Sequence, residues 1–429
     1  MRLRWKILIG FAASVAVALA WLLFPRPAQR KWLIEAAWAE ERATDFRTSH
    51  VAAPLPATFG ELLEPALPAL HESRMAYLRR GAASMDRVRR IYSGKDPISQ
   101  LDSEASADLA LHHGAMQTAL QATHAQFARP PASLRLFAFF GPDESFVDVQ
   151  QAVKLAALDV LTVLDQGGAD EAIEECVDAL ALGRDVSYPS VLGRVVGVAV
   201  TGISAHACGR ALSAAPQATV ERARMQLAAI RRATPRFADI LRREHLFQQL
   251  LMADSDAGLP EGARVFIAGA RAQNRGALPR LELALFGPIK REGLADLMAE
   301  LLEAQALGWP DCANRMEQAA ARFQRKPIIG EPTGFVSLLR RHRDALLKLD
   351  ALACAASALT ERARTGTLPR DVASTCPPIE PQATCGERSA PMLIVTGAEP
   401  PHVSVTLSDG SEFVVPLARM PQASAAALR

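Results

Sequence analysis

The first 25 residues restrict this chain more than any other stretch. Arg2, Arg4 and Lys6 precede an uncharged apolar run from Ile7 to Phe24, closed by Pro25. A helix of that length spans roughly 27 Å, close to the hydrocarbon thickness of a bilayer. Basic charge before the run predicts a cytoplasmic N-terminus, a single pass through the inner (cytoplasmic) membrane and a periplasmic body. Ala18-Leu19-Ala20 offers a cleavage site, but the apolar run continues through Trp21, Leu22, Leu23 and Phe24, past the core usual for a cleaved signal. The expectation is a retained signal anchor over residues 1–25, with the lipid bilayer as the partner of residues 7–24.

The rest of the chain has the material for a folded body. At 49% hydrophobic residues in 429, the chain can bury one large core or two ordinary ones. A net charge of +2 excludes nucleic acid as the main partner, because phosphate binding shows as a strongly basic domain. Six cysteines at this length do not make a disulfide-dense scaffold.

From residue 29 to residue 366 the apolar spacing is helical, with no convincing strand alternation. Punctuation by Pro, Gly, Asp and Ser predicts helices over 29–44, 68–92, 103–127, 145–166, 169–185, 189–214, 217–232, 235–253, 288–308, 311–325 and 334–365. Alternation at Met392–Val395, His402–Leu407 and Glu412–Leu417, with Asp409-Gly410 between the last two, predicts a three-stranded antiparallel meander. The fold class is therefore mainly α, with antiparallel helix pairs and a small C-terminal sheet. The expected organisation is an anchor at 1–25, a helical body at 26–256, an irregular connector at 257–279, C-terminal helices at 280–366 and a disulfide-looped tail at 367–429.

Three helical passages carry further detail. Gly167-Gly168-Ala169-Asp170-Glu171-Ala172-Ile173 with Cys176, Ala179 and Leu180 resembles the second helix of a tetratricopeptide repeat, and Cys208-Gly209-Arg210-Ala211-Leu212 echoes it 32 residues later. The resemblance implies stacked helix pairs over roughly 65 residues, without the continuing period of about 34 that defines that family. Between the echoes, Val195 to Ile203 is apolar all round and reads as a buried central helix, where Gly193 and Gly197 permit close packing. The helix over 334–365 shows a heptad seam from Leu338 through His342, Ala345, Leu349, Leu352, Ala356, Leu359 and Ala363, and Gly366 stops it before Leu368-Pro369. His342 reads as a seam residue reaching outward. A long helix, this stop and a terminal sheet are similar in architecture to the globular half of bacterial type II pseudopilins. The N-terminal Met-Arg-Leu-Arg-Trp-Lys lacks that family's processing motif, so pilus assembly is not carried over.

No catalytic signature is complete. Ser93-Gly94-Lys95-Asp96 lacks the first glycine of a phosphate loop, and Gly202-Ile203-Ser204-Ala205-His206 lacks the last glycine of a nucleophile elbow. His112 and His113 diverge on one helix, His113 and His124 lie three turns apart, and His206 and Cys208 face away from each other. Glu244-His245, beside Arg242 and Arg243, suits acid–base chemistry only within a cleft. No catalytic, cofactor or metal residue is assigned. Seven arginines between Arg222 and Arg243 face Asp239 as the only acid, a patch suited to anionic headgroups or an acidic partner. Cys376 and Cys385, close in a Pro-rich loop, are the candidate disulfide; Cys312 with Cys354 is a second, and Cys176 and Cys208 read as small core residues.

The sequence-level expectation is a membrane-anchored, extracytoplasmic helical protein that binds an envelope protein or peptide as a scaffold, without enzymatic activity. The alternatives are a hydrolase whose residues converge from distant helices, and a pseudopilin-like subunit.

Overall fold

The computed structural model describes residues 27–43, 49–130, 144–188, 190–253, 255–273, 277–324, 333–369, 375–376, 385 and 392–418. The expected anchor over 1–25 lies outside the described residues. Among those described, one helix, Val191–Ala214, is long and apolar enough to cross a membrane, and 61% of its apolar window is buried inside the body.

The described residues fall into two units, 27–43 with 241–336 and 49–130 with 144–240 and 337–418. The boundaries expected at 257–279 and after 366 are internal to these units, and the division instead falls within two helices.

The smaller unit holds α1 (Pro27–Ala43), the later part of α10 (Phe237–Leu251), α11 (Glu261–Gln273), α12 (Ala277–Ala304) and α13 (Asp311–Gln324). Its core joins Ala37, Leu246, Leu250, Ala263 and Ile267 around Phe247 and Phe266, whose rings lie 5.0 Å apart. The helix α11 replaces part of the expected connector: Ala263, Phe266, Ile267 and Ala270 recur at three- and four-residue spacing and are all buried.

The larger unit begins with a short parallel ladder, β1 (Leu55–Thr58) on β2 (Ala125–Phe127). Strands of four and three residues are too short to show alternation, which is why none was expected here. Thr58 and Glu61 form a reciprocal capping box that starts α2 (Phe59–Leu63). The single helix expected over 68–92 is broken at Arg80, whose backbone is extended, into α3 (Leu67–Arg79) and α4 (Ala82–Tyr92). The Asp102 carboxylate accepts from Ala105 N at 2.8 Å and starts α5 (Ser103–Gln121).

Three helices form the centre: α6 (Glu144–Asp165), α7 (Ala169–Val186) and α8 (Val191–Ala214), each packed on the other two. Gly167, at φ +91°, makes the turn between α6 and α7. Small residues bring α7 and α8 together: a Cβ at Gly197 would stand 2.3 Å from the Gly183 carbonyl oxygen, so only glycine fits. Cys176 and Cys208, read from the sequence as small core residues, are bonded to each other across this contact. After α9 (Gln217–Ala233), the chain returns as α14 (Thr333–Thr365), ended by Gly366 at φ +79°. The sheet β3 (Met392–Val395), β4 (His402–Thr406) and β5 (Glu412–Pro416) is antiparallel in that order, as its alternation predicts. Val403, Val405 and Val415 join the same core as α6 to α8 and α14.

The bridge expected between Cys376 and Cys385 is corrected. Cys376 is bonded to Cys354, whose Cα lies 4.4 Å away on the buried face of α14. Sequence proximity favoured Cys385, whereas Cys376 stands against the buried face of α14.

Candidate metal centre

The ladder β1–β2 fixes the separation of two histidines. His50 stands in the loop five residues before β1, and His124 ends the 3-10 turn Ala122–His124 that leads directly into β2. Pairing Leu55 with Ala125 therefore brings the two imidazoles together, with ring centroids 5.6 Å apart at 68°. The third group, Asp178, comes from α7, two residues beyond Cys176 and its bond to α8.

The three side chains converge on the carboxylate. His50 Nε2 lies 3.0 Å from Asp178 Oδ1, and His124 Nε2 lies 2.9 Å from both carboxylate oxygens. One ligand atom from each residue lies within 4.8 Å of the other two. Zinc bonds of about 2.0–2.2 Å place tetrahedral donors roughly 3.3 Å apart; the two contacts to Asp178 are already near that spacing, and the set as a whole must close from a spread of up to 4.8 Å to share an ion. Two imidazoles and one carboxylate suit zinc and its first-row neighbours, and three protein ligands leave a position for water. The His50 side chain is wholly buried, while Asp178 and His124 are partly exposed, so the open position faces outward.

Ligation needs neutral imidazole and ionised carboxylate, so the Nε2–H groups that donate to Asp178 give up their protons when an ion binds; the shifts at His50 and Asp178 run in the direction this needs. Burial holds the His50 pKa below its ordinary value, against the opposing hydrogen bond that it donates to Asp178. Burial also pushes Asp178 upward, but the hydrogen bonds from His124 and His50 outweigh it and keep the carboxyl below the usual range. One feature departs from a complete site: His50 Nδ1 is buried with no hydrogen-bond partner. An unsatisfied buried N–H costs about 1–3 kcal/mol. That cost lowers the affinity of the site, while the donor set, two imidazoles and a carboxylate, remains one that zinc takes.

Both ligand-bearing segments continue to a cavity of 380 Å³. Ala128 reaches it four residues after His124, and Arg184, Asp185 and Tyr188 line it one to three turns beyond Asp178. Arg184 Nε donates to Asp185 at 2.7 Å, and both charges act on His50, Arg184 lowering its pKa and Asp185 raising it. Comparison with protein-family models, with curated proteins and with solved structures finds no match for this chain.

The residues singled out in the sequence take other places. His112 is buried against Asp108, 2.9 Å from its Oδ1, in a group that includes Ser73 and Arg80. His113 bonds Asp159 at 3.2 Å. In the smaller unit, Glu244 accepts from Gln248, and His245 packs on Trp32 with centroids 4.8 Å apart. Burial pushes Glu244 up and holds His245 down at about 4. His342 does not reach outward: it is wholly buried, accepts at Nδ1 from Arg194 Nε at 2.7 Å and lies against Phe237. The arginine patch is largely paired, Arg222 to Glu174, Arg224 to Glu221, Arg231 to Asp350 and Arg243 to Glu40.

Sequence reasoning missed His50 and Asp178. They stand 128 residues apart, with His124 54 residues before Asp178, so no spacing motif joins them. The available signal was an acid inside the apolar run Cys176-Val177-Asp178-Ala179-Leu180. A carboxylate on the inward face of a helix requires a partner.

Proposed function

We propose that this chain is a membrane-tethered, extracytoplasmic protein whose helical body binds a divalent transition-metal ion of the zinc class at His50, His124 and Asp178. The observation that carries the reading is the convergence of three metal-ligating side chains from three separate segments, with their ligand atoms within 4.8 Å. The tether rests on the apolar run Ile7–Phe24 and the basic residues before it. The bonds Cys176–Cys208 and Cys354–Cys376 support an oxidising compartment, where disulfides persist. A scaffold role rests on the helical body alone and names no surface.

The test is equilibrium dialysis of the tag-free full chain in detergent, stripped with a chelator and then exposed to Zn²⁺ or Co²⁺. The expected result is one ion per chain, with visible absorption typical of four-coordinate Co²⁺. Asp178→Asn and His124→Ala should each weaken binding by a hundredfold or more, while His113→Ala should bind like the unmodified chain. Less than a tenth of an ion per chain, or undiminished binding by Asp178→Asn, overturns the proposal.

A further inference from the structure

A second cavity, of 510 Å³, lies in the larger unit between the C-terminal sheet and the helices α8 and α14. Its volume is within the range of about 300–1,000 Å³ usual for small-molecule sites. On one wall, Gly202, His206 and Arg210 recur every four residues and so share a face of α8. Lys348 enters from α14, and the opposite wall is Pro400, His402, Phe413, Val414 and Pro416.

Two glycines frame the bases. A Cβ at Gly94 would overlap the His206 imidazole, so the ring is held against that turn. A Cβ at Gly202 would stand 3.9 Å from Lys348 Nζ, which places the ammonium across the bare backbone of α8. Lys348 Nζ also lies 5.7 Å from the centre of the Phe413 ring. Neither Arg210 nor Lys348 has a carboxylate within 4.0 Å among the described residues. The acids around them act from further away, Asp165 on Arg210, and Asp344 and Asp409 on Lys348. Of the carboxylates that line the cavity, Glu399 and Glu412 are both exposed, and Glu412 already accepts from Ser404 at 2.8 Å.

A part-buried cation without a close counter-charge loses hydration and gains little in return. An anion entering a cavity lined by two such cations restores that loss. We infer that this cavity binds a small amphiphilic anion, with a carboxylate or phosphate head drawn in by Arg210 and Lys348 and an apolar body on Phe413, Val414 and Pro400. The site is separate from the metal centre and does not depend on it.

The probes are phenylacetate and phenyl phosphate, with benzyl alcohol as the neutral control. Calorimetric titration uses the full chain in lipid nanodiscs, with empty nanodiscs as the blank. At least one anion should bind with submillimolar affinity and ten times more tightly than benzyl alcohol; which anion is preferred identifies the head group. Lys348→Met and Arg210→Gln should each weaken binding tenfold or more, Lys348→Arg should stay within threefold, and Asp178→Asn should leave it unchanged. Unfolding midpoints of the variants establish that they are folded, and Arg210→Gln, at a half-buried position, stands in if Lys348→Met is not. Failure of both anions to bind below 10 mM, or equal binding by the charge-removing variants, overturns the inference.

Discussion

Glu175 gives the sharpest quantitative prediction. Its side chain is buried on α7 at 6% exposure. Burial, followed by the charge of Asp159, pushes its carboxyl up to about 9. At pH 7 the folded protein therefore holds a proton that the unfolded chain, with a carboxyl near 4.5, has released. At about 1.4 kcal/mol per pH unit, the interval from 4.5 to 7 costs the folded state about 3 kcal/mol. The sign follows from the raised folded pKa: the contribution is fully present below pH 4.5 and is lost as pH rises through about 9. Glu175→Gln keeps the shape without the titration, so it should be neutral near pH 4.5 and stabilising by up to about 3 kcal/mol at pH 7. Urea unfolding of both proteins at pH 5, 7 and 8, followed by far-ultraviolet circular dichroism, measures the difference. With a slope of about 3 kcal/mol/M, the midpoint should rise by roughly 1 M at pH 7. A shift that is the same at all three pH values, or a loss of stability at pH 7, would refute the protonated carboxyl.

Three further outcomes follow from the same packing. Replacing Cys176 and Cys208 together by alanine opens a 32-residue loop, which costs roughly 4 kcal/mol on a chain-entropy estimate; an unchanged unfolding midpoint on reduction would contradict it. Gly197→Ala adds a methyl that meets the Gly183 carbonyl and Ser187, so α7 and α8 must separate. That overpacking should destabilise by about 1–3 kcal/mol, more than the roughly 1 kcal/mol that alanine gains in helix propensity, and thermal unfolding reads the net sign. His206 and His245 both have pKa values held down to about 4 by burial, so stability should fall as pH drops from 6.5 toward 4, where the unfolded chain binds protons that the folded chain refuses. Replacing both with glutamine should flatten that slope, and an unchanged slope would show that other groups cause it.

Legibility in the sequence followed the range of the interactions. The helix α14 and the C-terminal meander were readable because heptad spacing, the stop at Gly366 and strict alternation are local. The helix α11 carried the same periodicity in Ala263, Phe266, Ile267 and Ala270, but Arg264 and Gly269 between them obscured it. The echo between Cys176 and Cys208 was visible as a spacing of 32, and its physical cause is a bond between the two sulfurs rather than a repeated unit. Two decisive features had no local signal. The pairing of Cys354 with Cys376 depends on how the chain leaves α14, and the grouping of His50, His124 and Asp178 depends on a ladder between strands 70 residues apart.

That ladder has a consequence for how the metal centre is controlled. Two short strands form one of the least stable kinds of β structure, and their backbone bonds open more readily than those of the long central helices. Since the loop with His50 runs into β1 and the turn ending at His124 runs into β2, opening the ladder frees the two imidazoles to separate. An ion bound there would act as a clasp, slowing amide hydrogen exchange at Leu55–Thr58 and Ala125–Phe127 while leaving the exchange of α7 and α8 as it was. Uptake and release of an ion at the proposed centre would then follow the fraying of seven residues more than the stability of the body around them.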